Sequence, residues 1–413
     1  SSDVCSSDLS GRHDVHIADV SLAARGRWHT IAASVIGFWV LVGVAINVAG
    51  NLGVNVVWWD LIHPFTIGAM TTAIIVYSTH FTEVLTRMQA RGYKSVAWRV
   101  ALIQVGLVLL LVDRAGYDWG PLSDAASLLI IVTFFWHAWD IYRALKGSLA
   151  GSFAVTVPFY IAAAVFLMAS VVMVIFAANG VGNYSLLVAA HSRGMVWGFA
   201  WLTILGTVVT LLPTLSGTKI APAARARCSR ALIVHCVGLA LAVGLYAVGL
   251  TRAAGMAQLL VVLAAIYIIQ PILATVVAGN PQQTTATVSA VAGLLWMLSL
   301  CAADAVCAVI GVYPRAVTLL LMPAFVGAGL LQLVTGVLHH LLPTLVGGGP
   351  AKVTLGRKVA DRGGYARLVL INLGAVLCLL GADVAGLIMM GLGLITNVLA
   401  IVVAVYKQNR LEN

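Results

Sequence analysis

The sequence predicts an all-α polytopic membrane protein with about twelve transmembrane helices in three pseudo-equivalent four-helix units. Three observations lead to this fold class: the composition, the lengths of the apolar runs, and an internal repeat whose unit is four helices long. Hydrophobic residues make up 61% of the 413 residues, charged residues make up only 9%, and the mean hydropathy is +1.01. A soluble domain of this length does not present such a composition to water.

The first residues are left out of the fold prediction. We interpret residues 1–9, which contain the stretch DVCSSDL, as a sequencing-adapter artefact, because a common adapter translates to these letters in one frame. Residues 10–29 are then expected to form a cytoplasmic N-terminal segment, and residues 30–410 a twelve-helix transmembrane domain. The five cysteines outside the artefact show no CxxC or metal-ligand spacing, so no disulfide framework is predicted.

Each predicted span is an apolar run of about 20 residues or more, the length that crosses a bilayer as a helix. The twelve runs, numbered spans 1 to 12, lie at roughly 30–50, 61–86, 95–113, 121–145, 154–178, 184–214, 231–251, 254–279, 286–312, 316–345, 366–384 and 386–406. The loops that connect them are short.

The distribution of Lys and Arg predicts the orientation. Basic residues cluster before span 1, after spans 2, 4, 6 and 10, and after span 12, whereas the opposite loops hold only Arg114, Arg252 and Arg315. The positive-inside rule therefore places both termini in the cytoplasm of a cell-membrane protein. The net charge of +10 is mostly this topology signal. It supplies no basic domain for nucleic acid, so the expected surroundings are the lipid bilayer.

An internal repeat relates spans 2, 6 and 10. The segment GTVVTLLPTLSG, which begins at Gly206 near the end of span 6, matches GVLHHLLPTLVG, which begins at Gly336 near the end of span 10, at seven positions. Nearly the same interval, counted back from His191 at the start of span 6, reaches His63 at the start of span 2. Three units of four helices account for the twelve spans that were counted independently.

This arrangement resembles the haem-copper oxidase subunit I fold. The motifs HPFTIGAMTTAIIVYSTHFTEVLTR, AAHSRGMVWGFAWLTILGTVVTLLPT and LLLMPAFVGAGLLQLVTGVLHHLLPTLVGGGP look like those of twelve-span NnrS-like proteins, some of them fused to copper nitrite reductase-like domains. The resemblance implies haem and/or copper as cofactor. It also implies a link to electron transfer, metal handling or nitric oxide and nitrite metabolism, with a cupredoxin or copper nitrite reductase-like redox partner.

The sequence departs from the oxidases at their copper ligands. A respiratory oxidase has a histidine pair on span 7 and a His-Tyr pair on span 6, where this chain has only His235 and, four residues after His191, Met195. An oxygen-reducing centre is therefore not expected. The sequence leaves the reaction open and points only to an oxidoreductase-related protein.

The predicted cofactor site lies in the outer half of the membrane. His63 and His191 are equivalent in the repeat and suit haem or copper as neutral imidazoles. The third predicted ligand is Met322 on span 10, because the repeat interval counted forward from His191 reaches its neighbour Leu321, and Pro323 loosens the helix there. Interfacial histidines bonded to loops are the alternative.

Four histidines near the inner ends of spans 2, 7 and 10 form a weaker predicted metal site. They are His80, His235, His339 and His340. Adjacent helical residues point about 100° apart, so the last two cannot both face one small site. A proton relay and simple packing are the alternatives to metal binding.

Four further polar residues carry expectations of their own. Arg193 on span 6 is expected either to reach the membrane surface or to pair with a haem propionate. His137 lies among tryptophans near the inner end of span 4 and is expected to be an interfacial anchor. Asp304 on span 9 and Glu83 on span 2 are expected to form structural hydrogen bonds, and a proton or cation path is the alternative for each.

Two other function classes compete with a cofactor-binding protein. A transporter of a small solute or metal ion would also use twelve spans, but transporters usually divide into two, often inverted, halves rather than three units. A structural or assembly subunit that kept the fold and lost its cofactors is the third class. P-loop, HExxH and GxSxG motifs do not occur in the sequence.

Overall fold

The computed structural model describes residues 22–87, 92–114, 119–148 and 153–411, and these ranges are helical without any β-strand. The predicted artefact at 1–9 and the first part of the segment at 10–29 lie outside the described residues. The spans are formed by the helices Leu22–Asn51, Trp58–Thr86, Lys94–Arg114, Pro121–Lys146, Ala154–Ala178, Tyr184–Ser216, Pro222–Ala247, Thr251–Ala278, Thr285–Val309, Pro314–Val346, Pro350–Asp361 with Gly364–Leu379, and Asp383–Arg410.

The predicted fold class is confirmed. Eleven of the described helices are individually long and apolar enough to cross a membrane, and the pair Pro350–Asp361 and Gly364–Leu379, bent by 43°, counts as the twelfth span. Helix starts differ most at span 11, whose first segment begins at Pro350 rather than at residue 366, and then at spans 1 and 7, which begin at Leu22 and Pro222 rather than at residues 30 and 231. The helices continue beyond the apolar runs into polar first turns, and Pro222 is well suited to the first helical position.

Spans 2, 6 and 10 form the centre of the bundle. The most apolar windows of these helices are 61%, 78% and 61% buried, compared with 28–50% for the other described helices that are individually long enough to cross. Span 1 packs between spans 10 and 2, span 5 between spans 2 and 6, and span 9 between spans 6 and 10. The remaining spans pack in pairs, 3 with 4, 7 with 8, and 11 with 12. Each four-helix unit therefore contributes one span to the central trio of spans 2, 6 and 10.

Each central span contains a π-helical segment, and these segments repeat along the chain. They cover Pro64–Thr71, Gly194–Ala200 and Phe325–Leu331, so they recur at nearly the interval that separates Gly206 from Gly336. A π-turn holds one more residue than an α-turn and occurs often at functional sites. The repeat inferred from sequence is thus visible as a repeated irregularity of the backbone.

A glycine in each π segment allows the first helix of the unit to approach closely. A Cβ atom on Gly198 would lie 2.5 Å from the Cβ of Phe166 on span 5, and one on Gly329 would lie 2.9 Å from the sulfur of Met297 on span 9. Gly68 is in the same relation to Trp39 on span 1. Glycine permits this close packing of membrane helices, and the packing fixes the depth of the residues at the helix starts.

Candidate functional site

A cavity of about 420 Å³ opens where spans 2, 6 and 10 begin. The basic loops predict that this end of the bundle faces outward, so we call it the outer cavity. Its volume lies within the usual range for small-molecule and cofactor sites. The wall is mainly apolar and aromatic, and it includes Trp59 and Trp119, while His63, His191 and Met322 lie on three different spans around it.

His63 is held by two contacts within its own helix. Its Nδ1 lies 2.8 Å from the carbonyl oxygen of Trp59, and its ring stacks on the Trp59 indole with centroids 3.8 Å apart and planes 9° apart. Because a carbonyl oxygen only accepts, Nδ1 must carry the proton and donate it. The basic lone pair of the ring is therefore on Nε2.

His191 shows the same arrangement with a neighbouring helix. Its Nδ1 lies 2.8 Å from the carbonyl oxygen of Ser170 on span 5, so Nδ1 donates and Nε2 keeps the lone pair. Among the residues that the structure describes, Nε2 has no hydrogen-bond partner. Metal-binding histidines usually donate their second ring N–H to a carbonyl or carboxylate, which fixes the tautomer and the ring orientation. Both outer histidines have this support.

The three predicted ligands also share a depth. In the register of the π segments, His191 and Met322 both correspond to position 61 of the first unit, two residues from His63. Two helical residues span about 3 Å along the axis. The cavity also contains Met195, one turn after His191, and Met70, which lies deeper on span 2. These two methionines were not among the predicted ligands, although the spacing of four residues after His191 was a usable signal.

Arg193 is buried and paired, and it does not reach the surface. Its Nη2 donates to Oδ1 of Asp304 on span 9 at 2.6 Å, and its Nη1 donates to Oγ1 of Thr318 at 2.7 Å. The surface position expected for this arginine is thus wrong, because Asp304 neutralises its charge inside the bundle. The sequence did not indicate this pair because the two residues are 111 positions apart. A role toward a haem propionate stays a prediction.

The Asp304 carboxylate accepts two further hydrogen bonds, as its predicted structural role requires. Oδ2 accepts from Nε1 of Trp197 at 2.8 Å and from Nε2 of Gln258 at 2.9 Å. The Arg193 guanidinium also lies 5.0 Å from the centroid of the Tyr246 ring. This network joins spans 6, 7, 8 and 9 directly behind the wall that carries Met322.

The four inner histidines make separate contacts. His235 donates Nε2–H to the Trp197 carbonyl at 2.8 Å, and His339 Nε2 lies 3.5 Å from the Asn397 carbonyl. His340 accepts from Arg357 at 2.8 Å, and His80 packs against His29 on span 1. Within the described ranges, no three His, Cys, Asp or Glu side chains are grouped so that they could hold a metal ion. The structure therefore does not assemble these four residues into one site.

His137 is a buried link between helices, so its predicted interfacial position is wrong. Its Nδ1 accepts from Nη1 of Arg99 on span 3 at 2.8 Å, and its Nε2 donates to Oγ of Ser78 on span 2 at 3.0 Å. Arginine can only donate, which fixes this tautomer. Hydropathy placed His137 near a helix end, but only the packing shows that it faces spans 2 and 3.

Comparison with known proteins leaves the family open. No protein-family model matches the chain, and no curated protein matches it at a significant level. The resemblance to NnrS-like and oxidase-like proteins therefore rests on the three sequence motifs and on the threefold arrangement of the helices alone.

Proposed function

We propose that this protein binds haem or copper in the outer cavity and acts in electron transfer, metal handling or nitric oxide and nitrite metabolism. The observation that carries the proposal is the matched pair His63 and His191, each with Nδ1 bonded to a backbone carbonyl and its lone pair on Nε2. They line one cavity at closely similar depth. Histidines held only by interfacial loops would not require this shared geometry.

The donor set fits both cofactors that the motifs imply. Two imidazoles with the Met322 thioether would suit copper, and either the two imidazoles or one imidazole with the thioether would hold haem iron. Either metal, when bound, would supply one-electron redox chemistry. The chain itself contributes the fixed ring orientations and an apolar aromatic wall that limits the access of water.

The location of the cavity is consistent with a redox partner outside the membrane. With both termini in the cytoplasm, as the basic loops predict, the cavity mouth opens on the external face of the cell membrane. A cupredoxin or copper nitrite reductase-like domain would meet the cofactor there. The aromatic side chains Trp58 and Tyr184, both exposed and both lining the mouth, form the contact surface in this proposal.

The test is cofactor content in single variants. Purified His63→Ala and His191→Ala proteins, expressed with haem precursor and copper supplied, should each retain less than about a tenth of the wild-type haem or copper. Absorption spectra and metal analysis measure this. His340→Ala is the matched control, because His340 is a partly buried histidine at the inner end of span 10.

Two results would count against the proposal. One is wild-type protein that contains neither haem nor stoichiometric copper under these conditions. The other is unchanged cofactor content in both outer variants when each is folded. His137 is unsuitable as a control, because its replacement breaks a buried link between three spans.

Transport of a small solute or metal ion is the second candidate. It is supported by the additional cavities, about 100 Å³ between the three central spans and about 200 Å³ near the inner end of the first unit. The threefold order of the helices favours the first candidate over a transporter with two inverted halves. Uptake of a solute by vesicles that contain cofactor-free protein would reverse this preference.

A further inference from the structure

A second polar cavity of about 200 Å³ lies between the inner ends of spans 1 to 4. Two histidines line it, His29 from span 1 and His80 from span 2, together with Glu83, Arg99 and Asp140. His29 lies just before the predicted start of span 1, so hydropathy alone did not single it out. The cavity is separate from the outer cavity, since His63 and His80 lie about 25 Å apart along span 2 at the rise of an α-helix.

The cavity contains buried polar atoms without protein partners. The His29 side chain is 1% exposed, and neither of its ring nitrogens has a hydrogen-bond partner among the described residues. Oγ1 of Thr82, on the cavity wall, and Oη of Tyr77, whose ring stacks on His29, are also buried and unpaired there. Buried polar groups in folded proteins are nearly always paired with protein, water or an ion. These atoms therefore indicate an occupant.

The two imidazole rings lie at the separation that one tetrahedral metal ion requires. Their centroids are 5.4 Å apart and their planes are inclined by 79°. A metal–nitrogen bond of about 2.0–2.1 Å puts each ring centroid about 3.2 Å from the ion, so tetrahedral geometry separates the centroids by about 5.2 Å. A linear two-coordinate ion would separate them by about 6.4 Å by the same measure.

A carboxylate on the same helix supplies a third ligand. Glu83 follows His80 by three residues, so both lie on one face of span 2, and both line the cavity. Two histidines and a glutamate form a known zinc ligand set. In the described part of the chain no such trio is already gathered around one point, so Glu83 would have to exchange an existing contact for the ion.

The charges around the cavity are compatible with this role. Arg25 on span 1 and Arg99 on span 3 oppose Glu83 on span 2 and Asp140 on span 4, so the four groups carry no net charge. Asp140 forms an ion pair with Arg99 at 3.4 Å. Glu83 lies on the same helix face as His80, which makes it the carboxylate nearest in sequence to a predicted ligand.

We propose that His29 and His80, with Glu83 as third ligand, bind a divalent transition metal ion of the zinc class at the inner end of the first four-helix unit. Water completes the coordination within the cavity. This site is independent of the proposed outer cofactor site, because the two share no residue.

Direct metal binding tests the proposal. Purified full-length protein is titrated with Zn²⁺ against a chromophoric chelator, and with Co²⁺, whose absorption reports tetrahedral coordination. His29→Phe and His80→Phe keep a ring in the packing and should each weaken Zn²⁺ binding at least about tenfold. Glu83→Gln should weaken it by a smaller factor. Tyr93→Phe is the control, because it keeps the aromatic wall and removes no ligand.

Two outcomes would contradict the proposed inner site. One is that the wild-type protein binds neither Zn²⁺ nor Co²⁺. The other is that the His29→Phe and His80→Phe proteins fold and bind Zn²⁺ as tightly as the wild type. If a Phe variant does not fold, His29→Gln and His80→Gln take its place with the same expectation. The Zn²⁺ titrations are repeated in the His63→Ala protein, so that ions bound in the outer cavity are not counted and failure of the outer proposal is distinguished from failure of this one.

Discussion

The two ends of the bundle contain similar groups held in different ways. Each end has a pair of histidines and an Arg–Asp ion pair. The outer rings, His63 and His191, donate Nδ1–H to backbone carbonyls at 2.8 Å. The ring of His29 at the inner end makes no hydrogen bond to the described residues and packs edge to face on His80. The outer rings are thus oriented by backbone carbonyls, whereas the His29 ring is positioned by its packing.

The ion pairs differ in the same sense. Arg193 and Asp304, behind the outer cavity, are 2.6 Å apart with side chains only 3% and 5% exposed. Arg99 and Asp140, beside the inner cavity, are 3.4 Å apart, with Arg99 2% exposed and Asp140 22% exposed. The difference predicts different responses to matched substitutions.

The largest expected effect follows from neutralising the two aspartates. Asp304→Asn leaves the Arg193 guanidinium buried without its counter-charge, which should reduce the free energy of unfolding by about 3 kcal/mol or more. Asp140→Asn should cost less, because the pair is longer, Asp140 is 22% exposed beside a polar cavity, and the buried Arg99 keeps its hydrogen bond to His137. Unfolding in mixed detergent micelles measures both. Equal losses would contradict the comparison.

A double variant separates loss of the ion pair from loss of packing. Adding Arg193→Met to Asp304→Asn removes the unpaired charge while it keeps an unbranched side chain. The double variant should therefore be more stable than Asp304→Asn alone. If it is less stable, Arg193 stabilises the bundle mainly through its hydrogen bonds to Thr318 and to the Pro314 carbonyl.

A smaller effect is expected from Gly198→Ala at the helix contact that supports His191. The added methyl group would lie 2.5 Å from the Cβ of Phe166, one turn before Ser170 on span 5. Overpacking here should cost about 1–3 kcal/mol and should lower cofactor content, since it pushes the Ser170 carbonyl away from His191. Zn²⁺ binding at the inner site should not change.

Gly244→Ala on span 7 is the matched control for this glycine. Its Cβ would meet no atom within 4 Å, so the substitution should be neutral or stabilising by up to about 1 kcal/mol. If both variants behave alike, close packing at Gly198 does not determine the position of His191.

The smallest expected effect is that of Ser78→Ala at the inner end. The substitution removes the acceptor for Nε2–H of His137, which should cost about 1 kcal/mol in unfolding free energy. Thr79→Val is the control, because the Thr79 hydroxyl donates only within its own helix, to the carbonyl of Ile75. A loss at Ser78 no larger than that at Thr79 would show that His137 is held by Arg99 alone.

Local patterns were sufficient to predict the spans and the outer pair as neighbours. Hydropathy located all twelve spans, and the repeat brought His63, His191 and Met322 to one depth, where the structure places them around one cavity. Span lengths and repeat spacing are properties of consecutive residues, so one sequence reveals them. The π segments were not predicted, because nothing in the local composition distinguishes them from α-helix.

Contacts between residues on different helices were not predicted, because they are not a property of consecutive residues. Arg193 meets Asp304 across 111 residues, and His29 on span 1 meets His80 on span 2. In a helix of uniform apolarity, periodicity does not show which face meets which neighbour.

The sequence by itself determined the membrane class, the number of spans, the threefold repeat and the candidate ligands of the outer cavity, because hydropathy and spacing act along the chain. Only the tertiary structure decided that Arg193 is neutralised inside the bundle, that His137 is a buried link, and that the second polar cavity belongs to His29 and His80. Those outcomes depend on how three four-helix units pack around one centre, and the packing selects among contacts that the sequence leaves equally available.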